Sequence, residues 1–271
     1  MPKVRVNSVE IYHEMRGAGT PIILIQGYAS SSERWPQILV DGVAKRHKVI
    51  LFDNRGTGRS DKPDSEYSIR TMADDTAGLM EALNISRAHV FGMSMGGYIT
   101  QELAINYPDR VLGLILGCTG CGGSKGFHGK EWGPMLRSIA SGNLPEMSPE
   151  FMGKMLSFGF TPKYIAENRE ALIKYYSSIK YPTPVFTWVR QGQAIMKHDT
   201  YDRLPKIKAP ALVLHGKDDR MLPHENASIL AERIPNAQLH LFENTGHIFT
   251  AGMEKEVVSI MLEFMSKVEK G

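Results

Sequence analysis

Short apolar runs alternate along the chain with segments of helical periodicity, and this rhythm limits the folds open to it. Strands that are apolar on both faces belong to sheets covered on both sides, and such sheets are mostly parallel. The segments between the runs, such as 68–84 and 96–108, carry apolar residues at i, i+3 and i+4, as amphipathic crossover helices do. The rhythm therefore predicts a doubly wound α/β domain. The apolar runs are PIILIQG (21–27), HKVILFD (47–53), AHVFGMS (88–94), VLGLILG (111–117), PALVLHG (210–216) and QLHLFE (238–243).

Two regions depart from this plain α/β pattern. Residues 3–16 alternate polar and apolar side chains around Asn7-Ser8, which predicts two antiparallel strands and brings the expected sheet to eight strands. Residues 127–200 hold many aromatic, Met and Pro residues and no strand pattern. We therefore expect a helical insertion within the α/β domain. Its expected helical segments are 131–141, 148–157, 162–178 and 184–197.

The size and charge of the chain fit one α/β domain and indicate neither a nucleic-acid nor a membrane partner, and they leave the oligomeric state open. The chain has 271 residues, of which 42% are hydrophobic and 23% charged, so a sizeable core can be buried. The formal net charge is +3, and charges of both signs are scattered rather than grouped into a basic nucleic-acid-binding arm. The N-terminal residues lack the apolar run of a secretory signal, and no segment approaches the ~20 apolar residues of a membrane span. We therefore expect a soluble, cytoplasmic protein that binds neither nucleic acid nor membrane.

The two cysteines, Cys118 and Cys121, have a C-x-x-C spacing with three interpretations. A redox dithiol would stand at the start of a helix in a thioredoxin-like unit, whereas this pair follows a strand and leads into glycines. A structural zinc site needs four ligands, and the sequence has no second C-x-x-C. Ordinary buried or loop thiols are therefore the favoured interpretation.

The glycine-rich turn GMSMG, residues 92–96, is the strongest chemical signal in the chain. It lacks the Lys of a phosphate-binding P-loop, and Ser94 occupies the position of the second glycine of a dinucleotide-binding fingerprint. A strand that ends at Gly92 and a helix that starts near Gly96 must meet in a tight turn, where side chains two residues either side of Ser94 would collide. Such a turn projects the Ser94 hydroxyl above the carboxyl edge of the sheet, which makes it a candidate nucleophile.

A serine nucleophile needs a base, and the base needs an acid that orients it. Asp218 and Asp219 follow the strand run at 210–216, and His247 follows the last run. All of these residues lie in loops after strands, and the loops that follow parallel strands converge at one edge of the sheet. The order of the residues alone leaves both aspartates open as the acid.

The chain resembles the α/β-hydrolase superfamily, in its serine esterase and enol-lactonase-like branch. The resemblance implies that Ser94 is the nucleophile, His247 the general base, and Asp219 rather than Asp218 the acid. It also implies an oxyanion hole and a cap over the site. The segments that carry the resemblance, in family order, are LIQGYASS (24–31), FDNRGTGRSD (52–61), GMSMGGYITQELA (92–104), HGKDDRMLP (215–223) and NTGHIF (244–249).

The implied oxyanion hole uses the backbone N–H groups of Tyr28 and Met95. Gln26 stands where most relatives have His, and a glutamine there can hydrogen-bond backbone groups of the loop. It can also shift the loop and the range of substrates. The implied domain bounds are 1–121 and 206–271 for the core and 122–205 for the helical cap.

Several side chains are expected at the substrate. The Tyr28 side chain is expected to face the cavity, and apolar residues of the insertion can line it, although each can equally pack the insertion against the core. His128 and His198 of the insertion could touch the substrate, whereas His215 is interpreted as a packed or loop-bonding histidine. The tentative substrate-contact residues are Gly27, Tyr28, Trp132, Met135, Trp188 and Met196.

These residues predict a serine hydrolase that cleaves carboxylic esters with apolar, short-to-medium acyl chains through an acyl-enzyme on Ser94. The Met-rich insertion indicates a tolerant apolar pocket. The same three side chains can open a lactone or hydrolyse a carbon–carbon bond of a β-diketone-like substrate. Cofactor-free perhydrolysis and a non-catalytic ligand-binding role are minor alternatives. No metal or organic cofactor is implied, and the expected partners are a small ester and water.

Overall fold

The computed structural model describes residues 2–144, 146 and 148–271. In this part of the chain eight strands form one sheet in the order β1-β2-β4-β3-β5-β6-β7-β8. The β1–β2 and β2–β4 pairs are antiparallel, and the other neighbours are parallel. The eight-stranded, mostly parallel sheet predicted from the sequence is therefore confirmed. The strands are β1 (Lys3–Val6), β2 (Val9–Arg16), β3 (Pro21–Ile25), β4 (Lys48–Phe52), β5 (Ala88–Met93), β6 (Val111–Gly117), β7 (Ala211–Gly216) and β8 (Gln238–Phe242).

Helices α4 to α7 lie between β6 and β7, where the sequence predicts four helical segments. Helices α5 and α6 begin at Pro149 and Pro162, and the preceding Ser148 and Thr161 hydroxyls accept backbone N–H groups of the first turn. Within the described residues, no helix is both long and apolar enough to cross a bilayer. The helices are α1 (Gln37–Ala44), α2 (Ile69–Ala82), α3 (Met95–Asn106), α4 (Trp132–Ala140), α5 (Pro149–Gly159), α6 (Pro162–Ser177), α7 (Val185–Lys197), α8 (Glu225–Arg233) and α9 (Glu254–Lys270).

Both faces of the sheet are buried, which explains why the central strands are apolar at successive positions. On β3, Ile23 and Ile25 pack in one core cluster with residues of α2 and α3. Ile22 and Leu24 point to the other side and pack with residues of α1 and α9. Because successive side chains of a strand point to opposite faces, one strand contributes residues to the hydrophobic layers on both sides of the sheet.

Side chains of helix α7 form buried hydrogen bonds with the loops that follow β3 and β4. The Thr187 hydroxyl donates to the Gly56 carbonyl at 3.0 Å. The Gln191 side chain accepts the Ala29 N–H at 2.8 Å and donates to the Arg55 carbonyl at 3.3 Å. The inserted helices therefore lie over the carboxyl edge of the sheet. The bounds expected for the core and the cap stay a prediction.

Candidate active site

Ser94 stands on the sharp turn between β5 and α3. Its backbone angles, φ 57° and ψ −119°, lie outside the regions that L-residues ordinarily adopt. Two backbone hydrogen bonds hold the turn, because the Ser94 N–H donates to the Gly117 carbonyl at 2.8 Å and the Gly97 N–H donates to the Ser94 carbonyl at 2.8 Å. The neighbouring strand and the first turn of the helix thus fix Ser94 in a strained conformation, half-exposed to a cavity.

The glycines on either side of Ser94 are required by close approach of the backbone. A Cβ at Gly92 would lie 2.2 Å from the Gly96 carbonyl oxygen, and a Cβ at Gly96 would lie 2.2 Å from the Ile25 carbonyl oxygen. The collision that the sequence predicts at these two positions is therefore confirmed.

His247 and Asp219 form a buried hydrogen-bonded pair. His247 Nδ1 lies 2.7 Å from Asp219 Oδ2, and the two residues are 5% and 6% exposed. Asp218 is exposed on the same loop. Since a catalytic acid must contact the base that it orients, the geometry favours Asp219 over Asp218.

The carboxylate of Asp219 is held on both of its oxygens. Oδ1 accepts the backbone N–H groups of Met221 and Leu222 at 2.8 and 2.9 Å. Burial alone would raise the pKa of Asp219, but the charge of His247 and hydrogen bonds from His215 and His247 lower that pKa below its ordinary value. Asp219 is therefore ionised at neutral pH.

His215 was not predicted to reach this pair. Its Nε2 lies 3.1 Å from Asp219 Oδ2 and 2.8 Å from the Leu222 carbonyl oxygen, and the residue is fully buried. The signal that could have indicated this contact is the position of His215, at the end of β7 and four residues before Asp219.

Ser94 and His247 line one cavity of about 730 Å³ beneath the inserted helices. The loop that follows His247 is hydrogen-bonded to the end of α5, since the Ile248 N–H donates to the Gly159 carbonyl at 2.8 Å. Among the described residues, the acidic and basic side chains of the wall other than the His247 imidazole are Glu33, Arg34 and Glu254. The wall that α5, α6 and their connection contribute is mostly apolar. Its apolar side chains include Met152, Met155, Leu156, Phe160 and Leu172.

Four of the six expected substrate-contact residues line the cavity: Gly27, Tyr28, Trp132 and Trp188. The Tyr28 hydroxyl donates to the Trp188 carbonyl at 2.7 Å. The Tyr28 ring meets the Trp132 and Trp188 rings edge-on, at centroid distances of 6.1 and 5.4 Å. These three rings form an aromatic part of the wall.

The other two expected contact residues lie elsewhere. Met135 packs against the main core cluster, and Met196 is 40% exposed to solvent. Met196 follows Trp188 by eight positions on α7, which turns its side chain about 80° away from the direction of Trp188. Apolar character makes both methionines candidates, but Met135 packs against the core and helix geometry turns Met196 away from the cavity.

The loop after β3 lies directly against Ser94. A Cβ at Gly27 would lie 3.0 Å from Ser94 Cβ. Gln26 Oε1 accepts the Gly27 N–H at 3.2 Å, so the glutamine bonds the loop backbone as its sequence position suggests. Met95 is the first residue of α3, where backbone N–H groups have no acceptor within the helix. The oxyanion role of the Tyr28 and Met95 N–H groups stays a prediction.

Both cysteines are free and buried. Burial raises the pKa of the Cys118 thiol well above its usual value and that of Cys121 to about 11. Because the thiolate is the reactive form, these residues are unreactive thiols at neutral pH. This agrees with their interpretation as ordinary buried cysteines.

Two groups of side chains place metal-binding atom types within 4.8 Å of one another: His47, His89 and Glu269, and Cys118, His215 and Asp219. In the first group both histidines contact Glu269 Oε1, at 3.1 and 3.2 Å, and their Nδ1 atoms have no partner among the described residues. Metal-binding histidines normally donate that second N–H to an acceptor, so hydrogen bonds to Glu269 account for this group. In the second group the Asp219 oxygens already accept hydrogen bonds.

The inserted histidines His128 and His198 are not among the described residues that line the cavity. The His198 ring stacks on Tyr98 at a centroid distance of 4.6 Å. Its Nδ1 lies 3.7 Å from Glu102 Oε1, and the residue is 5% exposed. His198 is therefore a packed core residue.

Acid should destabilise the protein in part through His198. Burial lowers the pKa of His198 to about 4, whereas an unfolded histidine has a pKa of about 6.5. Between these values only the unfolded state binds the proton, so stability is complete above about pH 6.5 and is lost as the pH falls towards about 4. We expect this group to lower the free energy of unfolding by about 2 kcal/mol between about pH 8 and pH 5.

Urea denaturation at the two pH values measures this effect. Between the two pH values, the free energy of unfolding of His198→Phe should fall by about 2 kcal/mol less than that of the wild type. That of His224→Phe, which replaces an exposed histidine, should fall as much as in the wild type. An equal decrease in wild type and His198→Phe would contradict the assignment.

Residues 20–250 match the family model described as alpha/beta hydrolase fold. A protein of Azorhizobium caulinodans named putative carbamate hydrolase RutD is 32% identical over the whole of both chains. A 2-hydroxymuconate semialdehyde hydrolase of Pseudomonas sp. strain CF600 is 27% identical over 93% of this chain and 89% of that protein. The crystal structure of a thermophilic esterase from Thermogutta terrifontis superposes with a TM-score of 0.86 at 26% identity, covering 98% of each chain.

Proposed function

The chain belongs to the α/β-hydrolase fold family, and on that premise we propose that it is a serine hydrolase that cleaves carboxylic esters with apolar acyl groups. One observation carries the proposal. Ser94, on its strained turn, and His247, paired with Asp219, open into the same largely apolar cavity. A nucleophile, a base and an acid of this kind are the components of acyl transfer.

In the proposed first half-reaction, Ser94 Oγ attacks the ester carbonyl carbon while His247 Nε2 takes the hydroxyl proton. Asp219 holds the His247 Nδ1–H and stabilises the imidazolium that forms. The Tyr28 and Met95 N–H groups donate to the oxyanion. Collapse of the tetrahedral intermediate breaks the bond to the alcohol oxygen, which receives the proton from His247 and leaves.

In the second half-reaction, water replaces the alcohol. His247 removes a proton from the water as its oxygen attacks the acyl carbon on Ser94. The second tetrahedral intermediate releases the carboxylic acid, and the proton returns from His247 to Ser94 Oγ. Residues 122–205 act as the cap in this proposal, because α5 and α6 supply much of the apolar wall.

The charges of the wall support a neutral ester over a dicarboxylate. Glu33, Arg34 and Glu254 together contribute a formal charge of −1, which opposes binding of a highly anionic substrate. The apolar side chains of α5 and α6 suit an aliphatic acyl chain instead.

Carbamate hydrolysis is the second candidate. It is favoured by the identity of 32% with a protein named putative carbamate hydrolase, over the whole of both chains. A carbamate presents the same carbonyl carbon to Ser94, so the proposed chemistry is unchanged and the substrates must be compared directly.

A substrate panel tests the proposal. Purified protein is assayed with p-nitrophenyl esters from acetate to dodecanoate, an aliphatic lactone, a p-nitrophenyl carbamate and a dienoic β-diketone. We expect the largest kcat/KM among the butyrate to octanoate esters. Turnover of the carbamate or the diketone with no turnover of any ester would reject the ester proposal.

A further inference from the structure

Two histidines approach the same oxygen of Asp219. His247 Nδ1 lies 2.7 Å from Oδ2 and His215 Nε2 lies 3.1 Å from it. The other oxygen, Oδ1, is occupied by the backbone N–H groups of Met221 and Leu222. These four donors occupy about the number of acceptor positions that a carboxylate offers, and the buried Cys118 thiol also lies within hydrogen-bonding reach of Asp219.

The surroundings of His215 define which nitrogen carries its proton. Nε2 lies 2.8 Å from the Leu222 carbonyl oxygen. Because a carbonyl oxygen only accepts, Nε2 must carry the hydrogen, which is then shared between Leu222 O and Asp219 Oδ2. Nδ1 is buried and has no partner among the described residues, so a proton there would be buried without an acceptor. We assign His215 as the neutral Nε2–H tautomer.

A donor on Oδ2 draws negative charge away from the side of the carboxylate that faces His247. Without that donor, Oδ2 would hold the His247 proton more strongly and favour the imidazolium form. The two N–H groups on Oδ1 would still keep the carboxylate in place. The expected effect of His215 is therefore on the strength of the acid–base pair more than on its position.

We propose that His215 is a positioning residue of the active site, a fixed neutral donor on Asp219 that limits how strongly the acid binds the His247 proton. The proposal rests on the proposed function, in which His247 must be unprotonated to accept the Ser94 proton. It extends that function by a residue that touches neither the cavity nor the substrate.

The other titratable side chains found against Asp219 in the described part of the chain are uncharged. The buried groups that face Asp219 besides the two histidines are the Cys118 thiol and the Tyr98 phenol. Burial raises the pKa of both groups above their ordinary values, so both are neutral over the pH range of an assay. The histidine on β7 is therefore the group whose replacement changes the charge distribution on Oδ2.

The test compares His215→Leu, which removes the donor, with His215→Gln, whose amide can donate from nearly the same place. For a p-nitrophenyl ester, the acid limb of the kcat/KM–pH profile of His215→Leu should move up by about 0.5–1 pH unit. On the acid limb this lowers kcat/KM roughly three- to tenfold, while the alkaline plateau changes little. His215→Gln should restore the wild-type profile, and His224→Leu, at the surface, should leave it unchanged.

A purely structural role would lower thermal stability and leave the acid limb in place. An unmoved or downward-moved limb in His215→Leu, or equal behaviour of the Leu and Gln variants, would overturn the proposal.

Nuclear magnetic resonance gives a test that needs no substrate. In ¹⁵N spectra of the wild type, His215 should be the Nε2–H tautomer, and in His215→Leu the His247 Nδ1–H proton should shift downfield. If the wild type hydrolyses no ester, the proposed function fails and these spectra still decide the role of His215. A Nδ1–H tautomer, or an unchanged His247 proton in His215→Leu, overturns it. If His215→Leu does not fold, the wild-type tautomer and the His215→Gln profile decide the matter.

Discussion

Ser94→Ala should lower kcat for p-nitrophenyl butyrate by about 10⁵-fold or more, with little change in KM. The variant lacks the oxygen that would form the acyl-enzyme, while the cavity that binds the ester is intact. Alanine also fits the strained position no worse than serine, because both residues place a Cβ there at the same φ of 57°. Steady-state kinetics with a thermal-melting control measure the effect.

The matched control for this change is Ser30→Ala, since Ser30 lines the same cavity. We expect Ser30→Ala to alter kcat no more than about threefold, within the range of a neutral hydrogen bond. Activity of Ser94→Ala within tenfold of the wild type would mean that another residue is the nucleophile.

Asp219→Asn should lower kcat by about 10⁴-fold, the size of loss known for the equivalent change in a serine protease. The amide is close in shape to the carboxylate, so the backbone hydrogen bonds to Oδ1 can persist. The amide carries no charge to stabilise the imidazolium, and it favours the wrong tautomer of His247. Asp218→Asn, at the exposed neighbour, should change kcat less than about threefold. A larger loss in Asp218→Asn than in Asp219→Asn would reverse the assignment of the acid.

The sequence could predict those parts of the fold that depend on the spacing of apolar residues within a short segment. The strand of residues 88–93 is buried at every position because both faces of the sheet are covered. Helix α2 has one mainly buried face, whereas α3, for which the sequence predicts an amphipathic helix, is buried at every position from Met95 to Ala104. The tight turn at Ser94 was predictable because a Cβ at Gly92 or Gly96 would collide with neighbouring backbone atoms, so that glycine is needed at both positions. These signals depend on neighbours in sequence.

The details that sequence could not supply depend on contacts between distant segments. Nothing near Gln191 in the sequence indicates that its side chain bonds Ala29. Nothing in the composition of α7 distinguishes Trp188, at the cavity, from Met196, in solvent. His215 has the sequence of an ordinary strand end, and its contact with Asp219 depends on how the following loop folds back.

Gln26, at a position where the family resemblance implies His, makes two hydrogen bonds in the loop that lies against Ser94. The Gln26 side-chain oxygen accepts the Gly27 N–H. The Asn54 side-chain amide donates to the backbone carbonyl of Gln26 at 3.1 Å. The loop beside Ser94 is thus fixed from both sides. The oxyanion N–H that we assign to Tyr28 belongs to the next residue along this loop.

Covalent labelling tests most directly whether Ser94 is the nucleophile. The protein is treated with a p-nitrophenyl alkylphosphonate. A serine nucleophile attacks its phosphorus and displaces p-nitrophenolate, which leaves a stable phosphonate ester on the serine oxygen. The labelled residue is located by peptide mass spectrometry. We expect one phosphonyl group per chain, on Ser94, and no labelling of Ser94→Ala. The fraction of chains labelled should equal the fraction of esterase activity lost. Inactivation with the label on another residue, or full activity in protein labelled at Ser94, would contradict this assignment.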